Sequence, residues 1–186
     1  MTLHPGPQIR IFEKYMPINH SYFIAINLPE PIHTKIERIK KGISEEYGTK
    51  SVLKSPPHIT IVPPFFWGNE EELITLVKEF LYPPFQIELN GYKAFEAQVV
   101  YIDVVENSKV FDLHQQFNNY FFEKYPQLKR KYLYPFQPHI TVGNRDWKWT
   151  EFKRCWDAIK ETPFEGSFEF SKLSLLKNIN GLWKVI

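Results

Sequence analysis

Two hydrophobic periods alternate along the chain, and their order predicts the architecture. S-Y-F-I-A-I-N-L-P at 21–29 is rich in aromatic and branched residues and reads as a strand closed by Pro29 and Pro31. From Pro31 to about Glu46, Ile32, Ile36, Ile39 and Ile43 recur at spacings of four, three and four, which is one apolar stripe on a helix. A strand over 57–62 follows, stopped by Pro63-Pro64. W-G-N-E at 67–70 leads into a second helix, with Asn69 as N-cap, Glu72 closing a capping box, and Leu73, Val77, Phe80 and Leu81 facing inward. Phe85, Ile87 and Leu89 alternate on one face of a strand over 85–90, and a second strand lies near 94–104. A third helix over about 108–124 carries Val110, Leu113, Phe117, Tyr120 and Phe121 inward. After a strand at 138–142, a fourth helix over about 150–161, capped by Thr150, buries Phe152, Trp156 and Ile159. Strands near 164–170 and 172–177 follow, and Asn180-Gly181 signals a turn into a last strand through Trp183. The order is strand, helix, strand, helix, strands, then helix, strand, helix, strands. It predicts an α+β domain over 1–186 made of two pseudo-symmetric lobes. Residues 1–19 read as a tail or strap.

Composition narrows the function. With 23 basic and 21 acidic residues the net charge is +2, too balanced for a global field that holds long nucleic acid. Cys155 is the one cysteine, which excludes an internal disulfide and a multi-cysteine metal site. The opening M-T-L-H-P-G-P-Q lacks a basic leader followed by an apolar run, and no window is long and apolar enough to span a bilayer. A cytoplasmic monomer with no membrane contact is the expectation.

The candidate chemistry lies in a repeated tetrapeptide. P-H-I-T occurs at 57–60 and again at 138–141, so 81 positions separate His58 from His139. Strand side chains have a period of two, so His58 and Thr60 share one face while Ile59 and Ile61 share the other. The same holds for His139 and Thr141 against Ile140 and Val142. Two imidazoles titrating near neutrality supply a base and an acid for one displacement at phosphorus, and the threonine hydroxyls can donate to its non-bridging oxygens. This chemistry calls for no cofactor or metal. The competing readings are a structural histidine beside a threonine chosen for β propensity, and a zinc site joining His58, His139 and His114.

The two tetrapeptides, H-I-T-I at 58–61 and H-I-T-V at 139–142, resemble the H-x-T-x motifs of the 2H phosphoesterase superfamily, which includes 2′-5′ RNA ligase-like proteins and cyclic nucleotide phosphodiesterases. The likeness extends to the opening strand F-I-A-I-N-L-P and the closing L-S-L-L-K-N. It implies a two-lobed duplicated α+β fold with antiparallel sheets flanking a central groove, and His58, Thr60, His139 and Thr141 as the catalytic quartet. It also implies hydrolysis of a 2′,3′-cyclic phosphate or related cyclic or 2′-5′ phosphodiester. The alternatives are 2′-5′ RNA ligase-like activity on RNA ends, or phosphate and RNA-end binding without turnover. The sequence departs from the ligase-like pattern in running V-P-P-F-F-W-G after the first motif, and in placing Arg145 one position late after the second.

Arg145, Phe66, Trp67 and Tyr134 are the candidate substrate contacts. Arg145 would meet a phosphate, the aromatic pair would form a wall or stacking platform, and Tyr134 would donate to substrate. Lys54, Trp147, Trp149, Tyr132 and the basic run at 129–131 lie near the motifs and read equally well as surface or packing residues. Asp146 is a possible ion partner for Arg145.

Overall fold

The computed structural model describes residues 20–96, 98–129 and 135–186. Two four-stranded, wholly antiparallel sheets organise the chain. Its elements are β1 (His20–Asn27), α1 (Ile32–Tyr47), a 3-10 turn (Ser51–Lys54), β2 (His58–Trp67) and α2 (Glu70–Glu79). Then come β3 (Phe85–Phe95), β4 (Val99–Val104), α3 (Ser108–Lys124), a second 3-10 turn (Pro126–Leu128), β5 (His139–Gly143) and α4 (Trp149–Ile159). The chain closes with β6 (Glu165–Phe170), β7 (Ser174–Ile179) and β8 (Leu182–Val185). The first sheet runs β2-β1-β7-β8 and the second β5-β4-β3-β6. The α+β, two-sheet expectation holds, and each sheet carries one His-Ile-Thr strand.

The closing strands separate. β6 pairs with β3 in the second sheet, while β7 crosses back to pair with β1. The helices cross over too: α1 packs against β5 and β6, and α3 packs against β2. One apolar cluster therefore draws on both sheets, joining Ile24, Ile59 and Ile61 to Ile102, Ile140 and Val142. Burying both motif strands by their isoleucine and valine faces leaves the histidine and threonine faces free to line a groove. The Asn180-Gly181 turn forms as expected, both residues adopting positive φ (53° and 83°).

Several local expectations change. β2 continues through Pro63-Pro64 to Trp67, because it is an edge strand whose register shifts between its pairings with Tyr22 and Ile24. Asn69 occupies the N-cap position of α2 without a side-chain cap, and Glu72 instead accepts from Trp67 Nε1 at 3.3 Å. Leu81 lies beyond α2 and is exposed, while Leu76 is buried. α4 begins at Trp149 with Lys148 as its N-cap, so Thr150 does not cap it. On α1 the buried stripe runs Ile32, Ile36, Lys40, Ile43 and Tyr47, with Ile39 only half-buried. Lys40, 1% exposed, replaces an apolar residue there because its ammonium donates to the Ser55 carbonyl and to Glu37 Oε1 (2.9 Å). Among the described residues no helix is long and apolar enough to cross a membrane.

Candidate active site

The edge strands β2 and β5 lie beside one another where the two sheets meet. His58 and Thr60 alternate with buried Ile59 and Ile61; His139 and Thr141 alternate with buried Ile140 and Val142. A cleft of about 290 Å³ opens there, lined by His58, Thr60 and Thr141 together with Phe23, Lys54 and Trp183. His139 is not among the residues lining this cleft, but stands one pleat from Thr141 on the same face of β5.

The two imidazoles are held in the same way. His58 Nδ1 lies 2.7 Å from the Pro56 carbonyl, and His139 Nδ1 lies 2.7 Å from the Gln137 carbonyl. A carbonyl can only accept, so Nδ1 carries the hydrogen in both rings and Nε2 is left to exchange a proton. Each ring also packs on aromatics of its own sheet. Phe23 lies 4.7 Å from His58 and 4.7 Å from Trp183, centroid to centroid. Phe95 and Tyr101 lie 5.0 and 5.1 Å from His139. These contacts limit ring rotation, so the proton-handling nitrogen keeps its direction.

The electrostatics of the two sites differ. Burial pulls His58 down to about 4; the Pro56 bond opposes this, and positive charge at Lys40 and His139 adds to it. Burial also lowers His139, while the Gln137 bond and the Asp103 carboxylate pull it back up. Asp103 is the direct strand partner of His139, and its other neighbour is Lys93 Nζ at 2.7 Å. The corresponding strand partner of His58 is the neutral Asn27, whose buried Oδ1 has no hydrogen-bond partner among the described residues. Burial thus disfavours the charged form of both rings, and only His139 has a carboxylate beside it to oppose this, so of the two His139 is the one that more readily holds a proton.

Half-buried neutral histidines also set a pH dependence of stability. Burial holds His114, stacked 3.7 Å from Phe136, down at about 4, as it does His58. Between about pH 6.5, the unfolded value, and pH 4, the unfolded chain takes up protons that the folded chain refuses. Stability should therefore fall as pH is lowered through that window. Unfolding free energy measured by denaturant titration should show this slope, and His114→Phe, which keeps a ring on Phe136, should reduce it. A variant as acid-sensitive as the parent would contradict the assignment.

The structure places the remaining candidates individually. Arg145 is exposed on the loop after β5 and is not among the cleft-lining residues. Its neighbour Asp146 turns away to Thr49, Lys50 and Ser51. Phe66 is exposed opposite Ser21, outside the cleft lining. Trp67 packs edge-on against Tyr125 at 4.7 Å, a contact between β2 and the end of α3. Trp147 is buried beneath Gly143 and donates to the Gln98 carbonyl. Trp149 is exposed. Tyr132 and Tyr134 lie outside the described residues, as do residues 1–19 and most of the basic run. His114 is taken up by Phe136, and among the described residues no three His, Cys, Asp or Glu side chains gather as metal ligands. Sequence reasoning missed Phe23, Trp183, Asp103 and Tyr101. The available signal was strand parity: Phe23 falls on the face of β1 opposite Tyr22 and Ile24, and Asp103 interrupts an apolar strand.

Comparison with known proteins places the family and the fold. Residues 28–182 match the family described as the 2′-5′ RNA ligase superfamily. A putative phosphoesterase of Geobacillus thermodenitrificans is 29% identical over 138 residues, 70% of this chain and 75% of that one. An RNA 2′,3′-cyclic phosphodiesterase of Archaeoglobus fulgidus is 31% identical over 130 residues, 65% of this chain and 70% of that one. Among solved structures, apo LigT of E. coli superposes with a TM-score of 0.59 at 18% identity, covering 90% of this chain and 94% of LigT. A Thermus thermophilus protein gives 0.57 at 20% identity, covering 89% and 94%. At these identities the structural likeness concerns the fold.

Proposed function

The chain belongs to the 2′-5′ RNA ligase superfamily, and from that premise we propose that it is a phosphoesterase opening a 2′,3′-cyclic phosphate, or a closely related phosphodiester, by two-histidine acid–base catalysis. The observation that carries this reading is the pair of identically tethered imidazoles, each with Nδ1 bonded to a carbonyl two residues back and a threonine one pleat away. A neutral histidine removes a proton from water as its oxygen attacks phosphorus. The bond from phosphorus to one sugar oxygen breaks, and the protonated histidine delivers its proton to that oxygen. The product is a phosphomonoester beside a free hydroxyl. Thr60 and Thr141 donate to the non-bridging oxygens, on which charge accumulates.

The cleft supports a small substrate. Its volume of about 290 Å³ lies at the lower end of the range for small-molecule sites. The Phe23–Trp183 edge offers an apolar surface for a nucleobase, and Lys54, in the same lining, offers a cation for a further phosphate. Joining RNA ends through a 2′-5′ bond is the same displacement with a hydroxyl in place of water, and would need room for two strands. The relative named as an RNA 2′,3′-cyclic phosphodiesterase supports the hydrolytic reading.

The test is a substrate panel with chelator present: 2′,3′-cyclic nucleotides, an oligonucleotide ending in a cyclic phosphate, and a 2′-5′ dinucleotide. Turnover of the cyclic nucleotides is the expected result. Turnover of the 2′-5′ dinucleotide alone would favour ligase-like chemistry, and binding without turnover of any member would overturn the enzymatic reading.

A further inference from the structure

The segment that delivers His58 to the cleft is held by a carboxylate from the other lobe. Residues 48–57 connect α1 to β2, and the Pro56 carbonyl near their end fixes the tautomer of His58. Asp146 lies on the loop between β5 and α4, five positions after Thr141. Its Oδ2 accepts from the backbone N–H groups of Lys50 (2.8 Å) and Ser51 (2.7 Å), capping the 3-10 turn that starts at Ser51. Its Oδ1 accepts from the hydroxyls of Thr49 (2.7 Å) and Ser51 (2.8 Å). Thr49, fully buried, accepts in turn from the N–H of Asn144 at 3.1 Å. At the far end of the segment, Lys40 holds the Ser55 carbonyl from within the core.

We propose that Asp146 is a positioning residue for the two-histidine site, tying the segment that leads into His58 to the loop that leaves Thr141 and so fixing how the two His-Thr pairs face one another. This deepens the phosphoesterase reading and rests on it. Four donors converge on one carboxylate, while its chain neighbour Arg145 is exposed. Such convergence is more than a surface aspartate needs, and it joins backbone 95 or more positions apart. Ser51, Lys54, Ser55 and Asn144, all held by this network or adjacent to it, line the cleft beside His58 and Thr141. Burial alone would raise the Asp146 carboxyl, but the bonds from Thr49, Ser51 and Lys50 bring it down to about 2, so the clamp stays charged at any pH where the enzyme would work.

Asp146→Asn keeps the shape but replaces one accepting oxygen by an NH₂, which the Lys50 and Ser51 N–H groups cannot accept and the Thr49 and Ser51 hydroxyls can accept only by giving up their own donation to the carboxylate. Near-attack geometry is sensitive to displacements of this kind, so kcat for a 2′,3′-cyclic nucleotide should fall about 10- to 100-fold with KM changed less than about threefold. Thr49→Val, which removes a single hydroxyl, should move kcat in the same direction by less, and it guards against loss of fold in the first variant. Thermal unfolding should remain cooperative in both. Nitrogen NMR of the imidazoles supplies a readout independent of turnover: the parent should show His58 only as the Nδ1–H tautomer, and Asp146→Asn should admit the Nε2–H form. Unchanged kcat with an unchanged tautomer would overturn the proposal. A fall in kcat with the tautomer intact would also overturn it, since Asp146 would then act by a route other than the segment that holds His58. If the parent turns over no cyclic phosphate, the phosphoesterase reading fails, and the tautomer alone decides the role of Asp146.

Discussion

Replacing His58 by alanine is expected to lower turnover of a 2′,3′-cyclic nucleotide by about 10²-fold or more, and replacing His139 should do the same. Each loss removes one of two proton transfers in the same displacement, so the double variant should be little worse than either single one. Folding should survive in all three. Both rings are half-buried on the strand faces that carry Thr60 and Thr141, and the isoleucine and valine faces that hold β2 and β5 in the core are untouched. The check is steady-state kinetics with thermal unfolding measured on the same samples. If one histidine can be removed without consequence, the cleft works with a single proton-transfer group and the paired mechanism is wrong.

The threonines should matter nearly as much. Thr60→Val and Thr141→Val preserve the branched shape and β propensity while deleting one hydroxyl each. A donor aimed at charge that develops in the transition state is worth about 10²- to 10³-fold when removed from a water-excluded site. This cleft is open to solvent on one side, so about 10- to 100-fold in kcat is expected for each, with KM altered less. Because the hydroxyl acts on phosphate oxygens and moves no proton of the attacking water, the shape of the pH profile should be unchanged in these variants. A kcat equal to the parent's in both would remove the threonines from the mechanism and leave them as strand formers.

The placement of His58, Thr60, His139 and Thr141 was legible because a strand has a strict period of two. Once His58 and Thr60 fall on a strand, their shared face follows, and the buried Ile59 and Ile61 behind them bear this out. The helices were legible for the same reason, α3 most clearly, with Val110, Leu113, Phe117 and Phe121 all buried. What the sequence concealed is long-range. Nothing local to β7 says that it leaves β6 to pair with β1, and that crossing brings Trp183 to Phe23 beside His58. Lys40 stands in an apolar stripe because a carbonyl 15 positions away needs its proton donor. Asp146 follows Arg145 directly and reads as its ion partner, yet its carboxylate is taken by donors near residue 50. Aromatic runs mislead in the other direction: Trp67 lies close to the first motif in sequence, but β2 carries it past the cleft to the end of α3.

The central claim is that one histidine gives a proton and the other takes one in a single event. The pH dependence of kcat/KM for a 2′,3′-cyclic nucleotide, measured in chelator for the parent and for each histidine variant, tests it most directly. The parent should give a bell, falling on the acid side where the base is protonated and on the alkaline side where the acid has lost its proton. Each alanine variant should retain only one of these limbs in its residual activity. A parent profile with no limb from a group titrating in the histidine range, or variants that both keep the full bell, would contradict the two-histidine account.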